Sequence, residues 1–277
     1  PNCSAREELS RADEPGYLGV HWRVPDRRIR RMSGPHRRSG RSAGAASRDA
    51  TWQRGAFMPT FVELAWLASP EGQAVCAEMA AGHPADTPTA IERWRERVEP
   101  EHVSIAWTQV LLRVAARGKF SRADQMLFDR VGLEQSSDEI VAAHKARRFA
   151  GYPSIADLCC GIGGDTIALA GVAPVTAVDV SGPRATMAEH NAGVYGHRAV
   201  GVIGDVELTH PEAAAAHIDP DRRPAGRRRH QVEQGSPDLP VIESIVRRYR
   251  HVAIKLSPGA DFTRLRFDAE IELISHR

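Results

Sequence analysis

The sequence predicts an α/β chain: a doubly wound, mainly parallel sheet preceded by a small helical domain. Three observations carry this. An apolar run, Ile155-Ala-Asp-Leu158, ends in a glycine-rich turn that opens into a second apolar run with helical spacing, reaching Ala170. From residue 151 onward, strand-like and helix-like patterns alternate, which argues for parallel strands with helices on both faces. The first four strand patterns each carry an acid at or near their end, Asp157, Asp179, Asp205 and Asp219, and sheets of this kind bind ligands beyond the carboxyl ends of their strands.

Composition narrows the class. A chain of 277 residues can hold one such sheet domain and an additional domain, and 42% hydrophobic content supports a real core. The net charge of +2 is not that of a uniformly basic protein. No apolar run is long enough to span a membrane, and no charged n-region with an apolar core marks a signal peptide. Cys3, Cys76, Cys159 and Cys160 form neither a spaced metal set nor a disulfide framework. The expectation is a cytoplasmic protein without a metal.

Residues 1–57 stand apart, with twelve Arg, no Lys and many Gly, Ser and Pro. One reading is a basic arm for RNA. The favoured reading is a disordered Arg-rich extension upstream of a natural start at Met58, because it has little to bury and no interleaved aromatics.

Residues 58–135 read as a helical domain. Ser69-Pro70-Glu71 is a start signal, with serine as cap and proline in the first turn. Ile91–Val98 and Val103–Ala116 have helical apolar spacing. Ser136 and Glu139 are spaced as a capping box before a helix over Ile140–Phe149. That helix opens the third unit, 136–277. Trp66, Trp94 and Trp107 read as core residues, and Lys145, Arg147 and Arg148 as a solvated face.

In the third unit, Gly161, Gly163 and Gly164 remove side chains where the backbone must bend and a ligand must come close. The loop leads into a helix N-terminus, which favours polar and anionic groups, so a nucleotide-like cofactor is expected. A dinucleotide would call for a third glycine, but Thr stands at 166. Val175–Asp179, Val200–Asp205 and Ala215–Asp219 read as the next strands, the last running into Pro220. A basic loop, Asp221–Arg229, follows. Then come a helix (Pro240–Arg250), a fifth strand (Val252–Leu256) and a sixth (Ile271–Ile274). No seventh strand pattern follows, so an open sheet edge and a truncated domain are expected.

The spacing Asp157-Leu-Cys-Cys-Gly161-Ile-Gly163-Gly164 resembles motif I of the class I S-adenosylmethionine-dependent methyltransferases. Asn191-Ala-Gly-Val-Tyr-Gly196 resembles a segment of the trimethylguanosine synthase group, the RNA cap guanine-N2 methyltransferases. Together, Asp157–Asp165, Asp219-Pro-Asp-Arg-Arg223, Gly226-Arg-Arg228 and Lys255–Asp261 are similar to bacterial methyltransferases that carry a THUMP-like C-terminal domain. The resemblance covers roughly 120–277, extends less securely over 59–119 and does not reach 1–57. The THUMP-like domain would follow Ser275.

This resemblance implies a Rossmann-like class I sheet, S-adenosylmethionine as cofactor and RNA as substrate. It implies that Gly161, Gly163 and Gly164, with Cys159 beside them, admit the cofactor, and that Asp157 lies near its methionine end. Asp179 would accept both ribose hydroxyls, as an ionised carboxylate can. Asp205 and the Val206 backbone would read the adenine. Asp219 and the Pro220 carbonyl would accept hydrogen bonds from the methylated nitrogen. The cap enzymes continue this motif with proline and tryptophan, but here Asp221 and Arg222 follow. Stacking on guanine by tryptophan is therefore not implied. Arg222, Arg223, Arg227 and Arg228 would meet phosphate or stack on a base. Their alternative is a solvated loop pairing with Asp219 and Asp221. Two rival functions stay open: a protein or small-molecule acceptor, and a cofactor-binding module without turnover. His190, His217 and His230 read as packing or surface residues.

Overall fold

The computed structural model describes residues 58–82, 88–220, 237–256, 265 and 267–274, with the backbone of 19–21. The rest of the Arg-rich segment and the basic loop lie outside the described residues, and with them Asp221, Arg222, Arg223, Arg227, Arg228 and His230.

The described elements open with a short strand β1 (Gly19–His21) and a run of helices: α1 (Phe61–Ala68), α2 (Pro70–Ala81), α3 (Pro88–Arg95), α4 (Pro100–Ala116), α5 (Arg130–Gln135) and α6 (Glu139–Ala146). Helix α1 is closed by a reciprocal box, the Thr60 hydroxyl accepting from Glu63 N–H and the Glu63 carboxylate from Thr60 N–H. Ser69 caps α2 as the sequence suggests, accepting from Gly72 N–H at 3.1 Å. The box expected at Ser136–Glu139 is not made. Asp138 caps α6 instead, accepting from Val141 N–H at 2.9 Å. An aspartate directly before the helix is a strong cap, which leaves Ser136 to close α5 through its N–H to Gly132 O. Glu139 is thereby free to bind Ser121.

The second half alternates β2 (Ile155–Leu158), α7 (Gly164–Ala170), β3 (Val175–Asp179), α8 (Gly182–Val194), β4 (Ala199–Ile203), β5 (Ala215–Ile218), α9 (Leu239–Arg248) and β6 (Val252–Ile254). The five strands form one sheet in the order β4-β3-β2-β5-β6, all parallel. The order reverses between β2 and β5, the switch point at which such sheets open a crevice. The last predicted strand does form, as β7 (Glu272–Ile274). It does not join this sheet but pairs antiparallel with β1. Part of the reason lies in charge: Arg148 binds both Glu270 and Glu272, and His144 also reaches Glu272, so this segment is held against the end of α6.

The helical and sheet portions share a core. Leu64, Val110 and Phe128 lie in one buried cluster with Ile162, Ile167 and Met187 of the glycine loop, α7 and α8, and the three tryptophans pack against it. On the sheet's other face, Ile242 and Ile245 of α9 pack on Leu158, Ile218 and Ile254. Asn191 pins the first interface. Fully buried, it accepts from Leu127 N–H and donates to Leu127 O and Ile162 O, all within 2.9 Å. Four residues on, Tyr195 donates to Glu139 and accepts from Arg122 N–H. The Asn191–Gly196 motif is thus a clamp between the helices and the glycine loop.

Candidate active site

Strand β2 ends in a sharp turn. Cys159, Gly161 and Gly163 all have positive φ, at 61°, 55° and 87°. The three loop glycines serve different needs. A Cβ at Gly163 would sit 2.7 Å from Ala188 Cα, and one at Gly164 3.0 Å from Ser137 O. Both are close approaches to protein. Gly161 faces open space, with nothing within 4 Å of a Cβ built there. It is the loop position where a ligand can approach the backbone.

Asp179 ends β3 beside this opening. Its carboxylate accepts from Gly161 N–H at 2.9 Å and from Ser181 N–H at 2.8 Å. Burial pushes its pKa up, against the pull of these two donors and of the Arg184 guanidinium. Arg184 itself is held by two hydrogen bonds to Asp129. Around Asp179 the surface is apolar. Val180 and Ile203 are exposed, and Phe61 is 52% exposed. Phe61 and Ile203 meet over Gly182, where a Cβ would lie 2.4 Å from Phe61 Cζ. A carboxylate with lone pairs to spare beside a bare glycine loop and an apolar wall suits a nucleoside. Asp205 lies two residues beyond β4, exposed, with Oδ1 accepting from Glu207 N–H, and Val206 beneath it is buried.

Asp157 lies in β2, just before the glycine loop. It is buried beneath the loop, one oxygen accepting from the Thr166 hydroxyl and the other 2.8 Å from His217 Nδ1. These bonds tie the end of β2 to α7 and β5 at the start of the glycine loop. Next to it, Lys145 is 1% exposed, against the expectation of a solvated face. Its ammonium pairs with Asp165 and donates to Ser137 Oγ at 2.8 Å, and Ser137 donates to Asp165 at 2.9 Å. Arg147 is exposed as expected. Burial alone would raise the Asp165 pKa, but Lys145, His217 and Lys255 together hold it well below the usual carboxylate range. At Lys145 burial wins, and its pKa is lowered despite Asp165.

Asp219 and Pro220 follow β5 directly across the switch point. Asp219 N–H donates to Leu158 O at 3.2 Å, so this acid stands next to the start of the glycine loop. Its side chain is 24% exposed, and one oxygen is paired with the ammonium of Lys255. The Lys255–Asp261 motif assigns Lys255 no role, the sequence does not single out Phe61, and it reads His217 as a packing or surface residue and Lys145 as a solvated face. Among the described residues there is no cluster of three or more His, Cys, Asp or Glu that could hold a metal, and no helix long and apolar enough to cross a membrane.

A parallel sheet with this strand order and a strand–glycine loop–helix at its centre is Rossmann-like, and with acids after β3 and β5 the arrangement is similar to that of class I S-adenosylmethionine-dependent methyltransferases. Comparison with known proteins agrees. Residues 153–222 match the RNA cap guanine-N2 methyltransferase family, and residues 60–116 match a domain family of unknown function. An uncharacterized S-adenosylmethionine-dependent methyltransferase of Mycobacterium tuberculosis, found in strains CDC 1551 and H37Rv, is 38% identical over 179 residues, covering 60% of this chain and 49% of that protein. The chain thus spans about half the length of the curated relatives it matches. A crystal structure from Porphyromonas gingivalis W83, described as a methyltransferase, superimposes with a TM-score of 0.55 at 22% identity, covering 70% of this chain and 51% of that one.

Proposed function

We propose that this chain transfers a methyl group from S-adenosylmethionine to a base nitrogen in RNA, in the cytoplasm. The observation that carries the reading is the place of Asp219: partly exposed, and joined through its own N–H to the strand that delivers the glycine loop. An acceptor held there lies beside a cofactor held at Gly161 and Asp179. The match of 153–222 to a family of RNA methyltransferases supports RNA, as does the resemblance to bacterial enzymes with a THUMP-like domain.

In this reading 58–135 is a helical domain and 136–277 the methyltransferase domain. Asp179 accepts the ribose hydroxyls, Gly161 admits the cofactor with Cys159 beside it, and Asp205 with the Val206 backbone meets the adenine. Gly163, Gly164 and Asp157 shape the loop. When bound, S-adenosylmethionine supplies a methyl already activated for displacement, which leaves the protein to orient and desolvate. Asp219 and the Pro220 carbonyl accept the N–H groups of the acceptor nitrogen, turning its lone pair toward the methyl. Arg222, Arg223, Arg227 and Arg228 meet the RNA phosphates, which makes binding sensitive to salt.

The test is calorimetric titration of S-adenosylhomocysteine, followed by transfer of tritiated methyl to unmodified transcripts of ribosomal and transfer RNA. Binding together with salt-sensitive incorporation is expected. Binding without incorporation into any RNA would overturn the RNA reading and favour a different acceptor or a module without turnover.

A further inference from the structure

We infer that Lys255 is a positioning residue for the methyl acceptor: reaching across from the end of β6, it takes one oxygen of Asp219 and leaves the other to the substrate N–H. This rests on the proposed role of Asp219.

The geometry builds the pair from two adjacent strands. Lys255 N–H donates to Ile218 O at 2.9 Å, which ties the end of β6 to the residue before Asp219. The Lys255 side chain is 4% exposed, whereas that of Asp219 is 24% exposed. The ammonium therefore comes from the protein interior, and the carboxylate is reachable from the crevice. Oδ2 is the oxygen that Lys255 binds. Among the described residues no hydrogen bond is recorded to Oδ1.

A buried ammonium is costly, and an apolar side chain of similar length would be buried without that cost. Packing therefore does not explain a lysine here. Part of its charge serves the buried Asp165, and two consequences follow for the acceptor. The first is orientation: an unpaired carboxylate rotates about its terminal torsion, which is broad, and a nitrogen hydrogen-bonded to it would sweep with it. Holding one oxygen fixes the plane of the group and so the direction of the acceptor's lone pair. The second is selection by charge. A lone aspartate in a crevice attracts cationic amines. Lys255 cancels that charge and leaves a neutral hydrogen-bond acceptor, suited to the uncharged amino group of a nucleobase rather than to the ammonium of a lysine side chain.

The experiment uses the full chain with Lys255→Met, Lys255→Arg, Asp219→Asn and the double variant K255M/D219N. S-adenosylhomocysteine titration reports folding and the cofactor site, and tritiated methyl transfer to the RNA transcripts reports turnover. Lys255→Met is expected to bind S-adenosylhomocysteine as the wild type does. It should lower kcat by roughly tenfold or more while moving the KM for RNA by less than about threefold, the pattern of an interaction made in the transition state. Lys255→Arg should restore part of the rate. In the Asp219→Asn background, Lys255→Met should cost nothing further, since residues that act as a unit are not additive. Wild-type turnover by Lys255→Met, or losses that simply multiply in the double variant, would overturn the inference alone. A wild-type chain that binds S-adenosylhomocysteine but methylates no RNA would instead overturn the proposed function, and this inference with it.

Discussion

His217 Nδ1 lies 2.8 Å from Asp157 Oδ1, and the two residues are register partners on the parallel strands β5 and β2. Both side chains are 1% exposed. With Thr166 on its second oxygen, Asp157 joins β2, β5 and α7 at the root of the glycine loop. An acid in that sequence position invites a ligand role, but its surroundings make it a structural joint. Replacing His217 with Leu leaves a buried carboxylate short of a partner. Stability should fall by on the order of 3 kcal/mol, read as a shift in urea unfolding midpoint. An unchanged midpoint would show that the pair does not hold the loop.

Asp179 is expected to act on binding as well as on the fold. Asp179→Ala should weaken S-adenosylhomocysteine binding by roughly 10- to 100-fold, and, by leaving Gly161 N–H and Ser181 N–H without their acceptor, should cost about 1–3 kcal/mol of stability. Burial raises its pKa above the ordinary 3.8, and only the ionised form accepts both hydroxyls. Affinity should therefore fall on acidification, beginning at a higher pH than for an ordinary aspartate. Calorimetry across the acidic range checks this. The acid limb should be absent in Asp179→Asn.

Phe61 connects the helical region to the site. It is half exposed, yet its ring covers Gly182 and touches the neighbourhood of Asp179. If the apolar wall receives the adenine, Phe61→Ala should weaken S-adenosylhomocysteine binding by about tenfold, and Phe61→Trp should retain it. Equal affinity in Phe61→Ala would remove this wall from the site.

The Lys145–Asp165 pair sets a pH dependence of stability. Asp165 has a lower pKa in the folded chain than unfolded, so its contribution is complete above the unfolded value of 3.8 and is lost as pH falls below it. Unfolding free energy measured from pH 6 downward should drop across that window. Lys145→Met should cost about 3–5 kcal/mol at neutral pH, because it strands a buried charge. A smaller acid dependence should remain in that variant. A stable Lys145→Met with unchanged acid behaviour would rule the pair out as a support of α7.

Some of this was legible without a fold. The strand–glycine loop–helix, the order of the acids and the cap at Ser69 depend on residues a few positions apart, and local geometry and hydrophobic periodicity reveal them. Boundaries were softer. Val200–Asp205 is a strand only over Ala199–Ile203, and Asp138 displaced the expected cap at Ser136, because neighbouring polar residues compete for the same N–H groups.

What the amino-acid order determined by itself is the Rossmann-like scaffold and its strand-end acids, since a glycine that must bend and an acid that must end a strand are local demands. Only the tertiary structure decided which partners those residues meet. Asp157 meets His217 from 60 positions away, Ser137 meets Asp165 from 28, and Lys255 meets Asp219 from 36. At such separations charge type alone does not name a partner. Packing does, by burying Lys145 and Asp157 while leaving Gly161 and Asp219 partly exposed.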